Sequence, residues 1–392
     1  MTLIFVSNVV PDRQEYWTQA FTRSGNNVLL GLLNSFPTAL NVITLSTQPI
    51  ESFPNGPLWV KGKEDRTEGG KRITLGSFLN LKIIKDLYKS LWYSSQLKKW
   101  RRANPHEPCK LLVYNIYSPP IASLYKVCKK LNIEIYAILY DLGIPPKRLK
   151  LSWLTMLGYK ASEHFAKRYI PLLDGRIVIN ERISEYYAPN KHFLLVDGAI
   201  NNAVESKLFP LGKTTGDCYT FVCAGMLWDQ NGTRLILDAL RVNKQENIRV
   251  IFAGKGNDVG LIKDAGNKDS RIQYVGMLTM DELFSVYKNA DVLLNLRIEE
   301  DTDFHFPSKL FEYMAMGKLV LSTPIAHAER DYSQYISFLH DITPEGLAKA
   351  IKDITSIPKE TLLKRGERTR QFTLENRTWR KRTEEILSYM KI

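Results

Sequence analysis

The sequence predicts an α/β fold in two similar-sized halves, because short β-rich runs alternate with longer helical stretches, pause, and then alternate again. The chain has 392 residues, which is too long for one ordinary hydrophobic core and makes two domains the default. The pause is a polar, turn-rich stretch at 197–217, DGAINNAVESKLFPLGKTTGD, which is typical of a linker. Strand–helix–strand alternation implies right-handed crossovers, so each half is expected to contain a parallel sheet.

The strands of the first half are predicted from apolar, partly β-branched runs, which is the pattern of strands covered on both faces. Helical patterns lie between these runs. The predicted strands are TLIFV (2–6), NVITL (41–45), LLVYN (111–115), IEIYAILY (133–140), GRIVIN (175–180) and FLLV (193–196).

The second half repeats the alternation after the linker, with helices predicted over 233–243 and 280–290. Helical segments also end the chain. The predicted strands are YTFVCAG (219–225), IRVIFAG (248–254), IQYVG (272–276), DVLLNL (291–296) and KLVLST (318–323).

The composition is that of an ordinary globular protein, with 44% apolar and 24% charged residues. No run of about 18 uncharged apolar residues predicts a transmembrane helix. The start, MTLIFVSNVV, has the pattern of a buried strand and not that of a signal peptide. The four cysteines, Cys109, Cys128, Cys218 and Cys223, have no metal-binding spacing, so we expect a reducing cytoplasm.

The net charge of +13 is concentrated in the first half of the chain. Residues 1–200 hold 27 Lys and Arg against 15 Asp and Glu, whereas residues 201–392 hold 27 against 26. This asymmetry predicts that the first half meets an anionic partner, which is a nucleic acid, a membrane surface or an acidic substrate. The alternative is a charged surface that only keeps the protein in solution.

The segment FHFPSKLFEYMAMGKLVLST carries the strongest chemical signal. Pro307 suits the first turn of a helix, where the N–H groups of Ser308, Lys309 and Leu310 would be free to bind an anion. Lys309 adds a full positive charge, and Glu312, about one turn further on, can accept two hydrogen bonds from a vicinal diol such as a ribose. A nucleotide diphosphate is therefore a natural ligand, because open α/β sheets bind ligands at the carboxyl ends of their strands. An ordinary capped helix with a solvent-exposed glutamate is the alternative.

That segment resembles the donor-site signature of family-4 retaining glycosyltransferases of the GT-B fold, in particular of bacterial members that build surface polysaccharides. PSKLFEYMAMG reproduces their Pro-Ser/Asn-Lys-Leu-Phe-Glu-Tyr-Met-Ala-x-Gly string almost letter for letter. Upstream, FVCAGMLWDQNGTRLILDAL, VIFAGKGN and IQYVGMLTMDELFSVYKNADVLLNL resemble other parts of the same donor domain. RIVIN with FLLVDGAI resembles the end of the acceptor domain. The resemblance covers 175–323 well and 1–150 only by architecture.

The resemblance implies the GT-B architecture, in which two Rossmann-like domains face each other across a cleft. The first domain, 1–200, would bind the acceptor, and the second, 201–375, would bind a nucleotide sugar. A helix over 376–392 would return to the first domain. The reaction would retain the anomeric configuration and need no metal, because the helix N-terminus and Lys309 would stabilise the leaving diphosphate.

The resemblance also assigns individual residues to the donor, a nucleotide diphosphate sugar with UDP as the expected nucleotide. Lys309 would hold the diphosphate and Glu312 the ribose. Gly225 would let the first turn of the domain approach the phosphates, because a Cβ there would clash. No cofactor and no metal are expected. The residues expected near the nucleotide are Gly225, Gly254, Gly256, Arg297, Ser308, Lys309, Leu310 and Glu312.

Two departures from the family pattern concern charged residues. Met226 and Asn231 stand where the family usually carries an Arg and a Lys directed at the phosphates. Phe304 stands where the family usually carries a Glu that binds sugar hydroxyls. These departures leave the identity of the sugar open and, less strongly, the activity. The candidates to replace the missing charges are Lys309, Arg297 and Asp303.

Asp141 ends a predicted strand of the first half, in IYAILYDLGIPP. A carboxylate at that position can orient or deprotonate an acceptor hydroxyl, or steady positive charge at the sugar carbon. The related enzymes often carry a His-Asp pair there, and Tyr140 replaces the His. We therefore expect Asp141 and Lys309 to be the catalytic residues, with a simple loop cap as the alternative for Asp141.

No metal site is predicted from the sequence. The Asp-x-Asp pair at 301–303 resembles a manganese motif of the other glycosyltransferase fold, GT-A, but it comes late in a second α/β domain. The six histidines are scattered without the spacing of metal ligands.

Two segments of the first half, 77–105 and 145–170, have the pattern of basic amphipathic helices rich in Trp and Tyr. In the first segment, Lys82, Lys85 and Lys89 form a cationic stripe beside the apolar one. Such helices suit an anionic bilayer surface, although a crossover helix that covers the sheet would show the same apolar stripe. We therefore expect a cytoplasmic protein that associates peripherally with the inner face of the cell membrane. A polyprenyl-diphosphate-linked glycan is the expected acceptor.

Three other functions stay open on the sequence alone. A non-catalytic GT-B partner subunit would explain the missing charges, and a nucleotide-sugar epimerase shares the fold. A nucleic-acid-binding protein would explain the charge, but no nucleic-acid-binding module accompanies the basic helices. The expected function is that of a hexosyltransferase in the synthesis of bacterial cell-surface polysaccharide.

Overall fold

The chain folds into two compact units, the first consisting of Met1–Gly198 and Trp379–Ile392 and the second of Ala199–Thr378. Both are α/β units built around a largely parallel sheet, which confirms the predicted fold class. The structure, a computed structural model, describes residues 1–82, 84–143, 152–200, 202–211, 216–298, 306–307 and 309–392.

The strands of the first unit are β1 (Thr2–Ser7), β2 (Asn41–Ser46), β3 (Trp59–Val60), β4 (Lys63–Arg66), β5 (Arg72–Leu75), β6 (Phe78–Leu79), β7 (Cys109–Tyr114), β8 (Glu134–Leu139), β9 (Gly175–Val178) and β10 (Leu194–Leu195). Within the described ranges, eight of them form one sheet in the order β10-β9-β8-β7-β1-β2-β5-β4, and β3 pairs with β6. Neighbouring strands of the large sheet run parallel, except that β4 is antiparallel to β5. Every residue of β1 and β7 is buried, as expected for central strands covered on both faces.

The helices that precede the linker cover this sheet, and two of them differ from the prediction. The helix predicted over 77–105 begins only at Lys85, because Phe78–Leu79 is paired as a strand. The helix predicted over 145–170 is described from Trp153 onward, and residues 144–151 lie outside the described ranges. The helices are α1 (Arg23–Ser35), α2 (Lys85–Ala103), α3 (Pro119–Leu131), α4 (Trp153–Tyr169) and α5 (Glu181–Tyr187).

The strands of the second unit are β11 (Tyr219–Met226), β12 (Ile248–Lys255), β13 (Ile272–Gly276), β14 (Val292–Asn295), β15 (Leu319–Ser322) and β16 (Ser337–Phe338). Their order in the described part of the chain is β13-β12-β11-β14-β15-β16, and all neighbours are parallel. From the central strand β11, the strands β12 and β13 are added on one side of the sheet. β14, β15 and β16 are then added on the other side. Such a reversal leaves a crevice at the carboxyl ends of the two central strands.

The helices of the second unit begin where local capping favours them. The Thr279 side chain and Glu282 form a capping box before α9, and the Thr343 side chain caps α12, whose first residue is Pro344. No helix in the described ranges is long and apolar enough to cross a membrane. The helices are α6 (Asn202–Glu205), α7 (Thr233–Val242), α8 (Val259–Gly266), α9 (Met280–Lys288), α10 (Lys309–Ala315), α11 (Ala328–Tyr332), α12 (Pro344–Thr355) and α13 (Lys359–Asn376).

The last helix, α14 (Trp379–Tyr389), belongs to the first unit. Trp379 is buried against α1 at Gly31, where a Cβ would lie 2.2 Å from the Trp379 Cδ1 atom. Arg382 forms a buried ion pair with Asp197, and its Nε donates a hydrogen bond to the Gly198 carbonyl at 3.0 Å. A side chain at position 31 and the Trp379 indole therefore exclude each other, which explains a glycine inside α1.

Candidate functional site

A cavity of about 200 Å³ opens at the carboxyl edge of the second sheet, where β11 and β14 lie side by side. This is the reversal point of the strand order, where open α/β sheets bind their ligands. Arg297 and Lys309 are the only charged side chains among the described residues that line it. The lining residues are Cys223, Ala224, Met226, Trp228, Gln230, Asn231, Leu294, Asn295, Leu296, Arg297, Lys309 and Tyr313.

Lys309 reaches this cavity because β11 carries a glycine near its end. Its Nζ donates a hydrogen bond to the Ala224 carbonyl at 2.8 Å, and a Cβ at Gly225 would lie 1.9 Å from the same nitrogen. Gly225 also has a φ of +115°, which other residues rarely adopt. Gly254, its partner in β12, is equally constrained, since a Cβ there would lie 1.9 Å from the Gly225 carbonyl oxygen. Gly225 therefore lets the ammonium group approach the end of β11, and Gly254 lets the ends of β11 and β12 approach each other.

Arg297 follows β14 and is held in place from two sides. Its Nη1 donates to the Asn231 side-chain oxygen at 2.6 Å. The Arg297 N–H donates to the Thr323 hydroxyl oxygen at 2.8 Å, and that hydroxyl donates to the Arg297 carbonyl at 2.9 Å. Asn231 stands where the family that the sequence resembles carries a Lys. Arg297 therefore brings a positive charge next to the position from which that Lys is missing.

The charged side chains in the described lining of this cavity are both cationic. Burial lowers the pKa of Lys309, and although Glu312 opposes this change, the charge of Arg297 lowers the pKa further. Burial also raises the pKa of the Cys223 thiol to about 11, so the thiol stays neutral beside the two cations. Among the described lining residues no carboxylate neutralises them. A ligand with two negative charges would therefore complement this cavity.

Of the described residues predicted for this site, Arg297 and Lys309 line the cavity, whereas Gly225, Gly254, Gly256, Leu310 and Glu312 do not. Glu312 is half-buried in α10, where burial raises the pKa of its carboxyl group and the charge of Lys309 opposes the rise. Gly256 instead packs on the chain itself, because a Cβ there would lie 2.1 Å from the Leu227 carbonyl oxygen. Glu312 therefore precedes the lining residue Tyr313 without lining the cavity itself, and Gly256 lies directly after β12, outside the lining.

The start of α10 differs from the expectation of free backbone donors. The Leu310 N–H donates to the Pro307 carbonyl at 3.0 Å, so this group is engaged within the chain. The helix is described only from Lys309. Several predicted positions lie outside the described residues, and they are Ser308, Asp301, Asp303 and Phe304.

Asp141, the other predicted catalytic residue, lies in the first unit and lines a cavity of about 370 Å³ at the carboxyl edge of that sheet. Asn115 Nδ2 donates to the Asp141 carboxylate at 2.8 Å, and Asn115 Oδ1 accepts the Tyr140 N–H at 2.7 Å. The Tyr117 hydroxyl donates to the Asp141 carbonyl. Asn115 adopts a φ of +49°, a conformation that Asn tolerates better than most residues. Sequence reasoning missed Asn115, and the available signal was a polar residue directly after a buried strand.

Comparison with known proteins connects the second unit to one protein family. Residues 218–356 match the model of the family described as glycosyl transferases group 1. The matched range includes Arg297, Lys309 and Glu312. No curated protein sequence matches the chain as a relative.

Solved structures share the fold over the whole chain at low identity. A sucrose-phosphate synthase from Thermosynechococcus elongatus is 13% identical, with 100% of this chain and 98% of that chain covered and a TM-score of 0.64. A glycosyltransferase from Rickettsia africae is 13% identical, with the same coverage and a TM-score of 0.66. HepE from Anabaena, in complex with UDP, is 12% identical, with 99% and 100% covered and a TM-score of 0.61.

These structural similarities show that the chain has the GT-B fold. At such low identities they show the fold alone and not the function. The fold confirms the prediction that each half is a Rossmann-like domain of this kind. The fold and the family match in the second unit together support glycosyltransferase activity.

Proposed function

We propose that this protein transfers a sugar from a nucleotide diphosphate sugar to a glycan acceptor. The observation that carries the proposal is the cavity in which Arg297 and Lys309 meet without a carboxylate among the described lining residues. A diphosphate supplies the negative charges that such a pair attracts. Because negative charge grows on the diphosphate as the sugar–phosphate bond breaks, fixed cations stabilise the transition state more than the ground state.

The finer assignments follow the family that the sequence resembles. UDP is the proposed nucleotide, the transferred group is a hexose, and the anomeric configuration is retained without a metal. Glu312 is assigned to the ribose hydroxyls, and Asp141 to the reacting hydroxyl of the acceptor. The UDP in the structure of the similarly folded HepE supports the choice of nucleotide.

The experiment is to incubate the full-length protein with labelled UDP- and GDP-sugars and a glycan acceptor, with and without EDTA. We expect acceptor-dependent release of the nucleoside diphosphate, unaffected by EDTA and strongly reduced by Lys309→Ala or Arg297→Ala. Lys349→Ala, which removes an exposed lysine from α12, is the matched control. Nucleotide binding without turnover would instead identify a non-catalytic partner subunit. Interconversion of free nucleotide sugars would identify an epimerase.

We also propose that the acceptor is lipid-linked and that the first unit meets an anionic membrane. α2 leaves Leu87 and Leu91 55% and 60% exposed, and Trp153 at the start of α4 is 73% exposed. The rings of Trp59 and Tyr88 are in edge contact at 6.2 Å. The exposed apolar residues that we call the α2–α4 patch are Phe53, Leu58, Trp59, Ile84, Leu87, Tyr88, Leu91, Trp153 and Leu157.

The packing of α2 favours a surface role for this patch over the alternative of a crossover helix. The side of α2 that is buried consists of Ser90, Tyr93, Ser94 and Leu97, so the apolar stripe predicted from the sequence is not the face that covers the sheet. Exposed apolar patches rimmed by charge are typical of interaction surfaces. The surrounding unit is strongly basic, which suits an anionic bilayer.

The predicted cationic stripe of α2 is not one solvated row. Lys82 is exposed, and its Nζ donates to the Thr155 hydroxyl of α4 at 2.6 Å. Lys85 is half-buried and donates to the Ser52 hydroxyl at 3.0 Å. Lys89 lines the first-unit cavity. The stripe therefore contributes less charge to the membrane-facing surface than its sequence suggests.

A further inference from the structure

The first-unit cavity contains a lysine whose charge no described residue pairs with. Lys89 lies on α2, and its Nζ is 4.9 Å from the centroid of the Phe78 ring. It makes no hydrogen bond or ion pair with any described residue. Burial of the ammonium group lowers the pKa of Lys89 to about 8, and Asp86, three residues earlier on the helix, opposes this change only in part. Lys89 is half-buried, and an anionic ligand would offset the cost of partly desolvating its charge.

The N-terminal turns of two long helices lie at the same cavity. α1 contributes Thr22 and Gly25, and α3 contributes Ser118 and Pro120. Neither Thr22 nor Ser118 caps its helix through its side chain. The ends of these helices carry partial positive charge from backbone N–H groups, which adds to the charge of Lys89.

Two carboxylates line the cavity: Asp86, whose charge partly offsets the desolvation of Lys89, and Asp141. The charge of Asp141 acts on Tyr114 and Tyr117, whose pKa values burial raises and Asp141 raises further. The cavity thus offers the ammonium group of Lys89 and the carboxylate of Asp141, which Asn115 holds by a hydrogen bond.

We propose that this cavity binds the acceptor, and that the acceptor carries an oxyanion, either a phosphate or a carboxylate, which pairs with Lys89 while a hydroxyl faces Asp141. The inference rests on the proposed glycosyl transfer, because it names the class of acceptor for that reaction. A volume of about 370 Å³ lies in the usual range for small-molecule sites. Lys89 is then a specificity-determining residue that favours acidic acceptors over neutral ones.

The test is to measure binding of three probes to the full-length protein by calorimetry: glucose 1-phosphate, glucuronate and methyl glucoside. We expect one or both anionic probes to bind more tightly than methyl glucoside, and their order distinguishes a phosphate from a carboxylate. Lys89→Gln should weaken the anionic probes roughly ten- to a hundredfold, as expected for loss of a charged hydrogen-bonding partner. Lys85→Gln removes one charge from the preceding turn, outside the cavity lining, and should weaken the anionic probes far less at pH 7. UDP binding, measured in parallel, should be unchanged in both variants.

The pH dependence gives a second, independent readout. Because the free lysine loses its proton near pH 8, anion affinity should fall as the pH rises above about 8. The other titratable groups near Lys89 are Asp86, Lys85 and Tyr93 on α2, and Asp141, Tyr114 and Tyr117 line the rest of the cavity. Lys85→Gln should move the fall to higher pH, because the charge of Lys85 lowers the pKa of Lys89. Lys89→Arg, which stays charged, should bind the anion at pH 9.5. If Lys89→Gln fails to fold, this comparison decides alone.

The outcomes separate this inference from the proposed function. If neither anionic probe binds the wild type, or if Lys89→Gln binds them as tightly as the wild type does, the acidic acceptor is ruled out and glycosyl transfer is untouched. Binding of methyl glucoside as tight as that of the anions has the same meaning. Failure of UDP to bind and of sugar nucleotides to turn over would instead overturn the proposed function, whatever the three probes do.

Discussion

The two units share an architecture but differ in where their charge lies. The first unit holds 31 Lys and Arg against 17 Asp and Glu, a net of +14, whereas the second holds 23 against 24, a net of −1. Yet the nearly neutral second unit contains the more cationic cavity. The charged residues in the described lining of that cavity are Arg297 and Lys309. The cavity of the basic first unit contains two aspartates and one lysine. Net charge therefore informs about the surface partners of a domain and says little about its binding site.

We propose a different kind of ligand for each unit. The second unit fits a diphosphate, which needs concentrated positive charge. For the first unit we propose a polar ligand with one acidic group in the cavity and an anionic membrane at the α2–α4 patch. The strongest tests are therefore those that remove charge from one unit and leave the other untouched.

The largest effect is expected for Lys309→Ala. Loss of one electrostatic donor to the developing diphosphate charge should lower kcat by about 10²–10³, with a smaller change in KM for the nucleotide sugar. Lys309→Arg should recover only part of the rate, because a planar guanidinium does not replace a compact ammonium group. Steady-state kinetics with circular dichroism as the folding check measures this. A folded Lys309→Ala enzyme with nearly normal kcat would show that Arg297 or another cation carries the diphosphate.

Gly225→Ala tests the same site without removing a charge. The added methyl would lie 1.9 Å from Lys309 Nζ, so the ammonium must move, and a misplacement of about 1 Å costs roughly 10² in rate. Gly276→Ala is the control, because Gly276 also has a positive φ of +78° but a methyl group added there would meet no atom within 4 Å. Stability is measured by thermal unfolding and rate by UDP release. Equal activity in the two variants would mean that the contact with Lys309 does not matter.

Glu312→Gln probes the nucleoside end of the donor. If the carboxylate accepts hydrogen bonds from the ribose, its loss should weaken UDP binding roughly ten- to a hundredfold. Glu345→Gln, at an exposed position in the first turn of α12, is the matched control. Titration calorimetry with UDP gives the affinities. Unchanged UDP affinity in Glu312→Gln would remove this residue from the site and leave it as a half-buried structural carboxylate.

The smallest effect is expected in the first unit, for the pair Leu87→Gln and Leu91→Gln. Both leucines are exposed, so stability should change little, while binding to anionic vesicles should weaken by about 1.4 kcal/mol for the pair, roughly tenfold. Leu261→Gln, at a leucine of the second unit that is 44% exposed, is the control. Vesicle co-sedimentation measures the binding. Equal binding of all variants would contradict the membrane proposal, and tighter binding to DNA than to vesicles would favour a nucleic acid partner.

The sequence predicted the sheets because buried parallel strands are continuous apolar runs, and such runs are visible without any tertiary information. It failed on α2, because periodicity shows that a helix has an apolar stripe but not whether that stripe faces the sheet. The buried face uses Tyr93 and two serines, Ser90 and Ser94, which a hydrophobicity pattern passes over. The sequence consequently assigned Lys89 to the cationic stripe of α2, whereas in the structure Lys89 lines a cavity.

Only the part of the candidate site that lies within or close to the local sequence motif was predictable. PSKLFEYMAMG pointed to Lys309, and the shortage of cations pointed to Arg297 as a replacement. The hydrogen bond between Arg297 and Asn231 joins residues 66 positions apart, so no local pattern could reveal it. The same holds for Asn115, which contacts Asp141 across two neighbouring strands.

The placement of α14 has a consequence for how the protein folds during its synthesis on the ribosome. Because residues 379–392 complete the first unit, the second unit is an insertion within the first along the chain. Residues 199–378 are synthesised as one uninterrupted stretch that contains the whole second unit. At that point Trp379, whose indole packs at Gly31 of the first unit, has not yet been made. Domains usually mature in the order of their synthesis. Residues 1–198 are made before the second unit, but their unit is completed only after it. The surface of α1 that α14 covers therefore stays exposed until α14 is made.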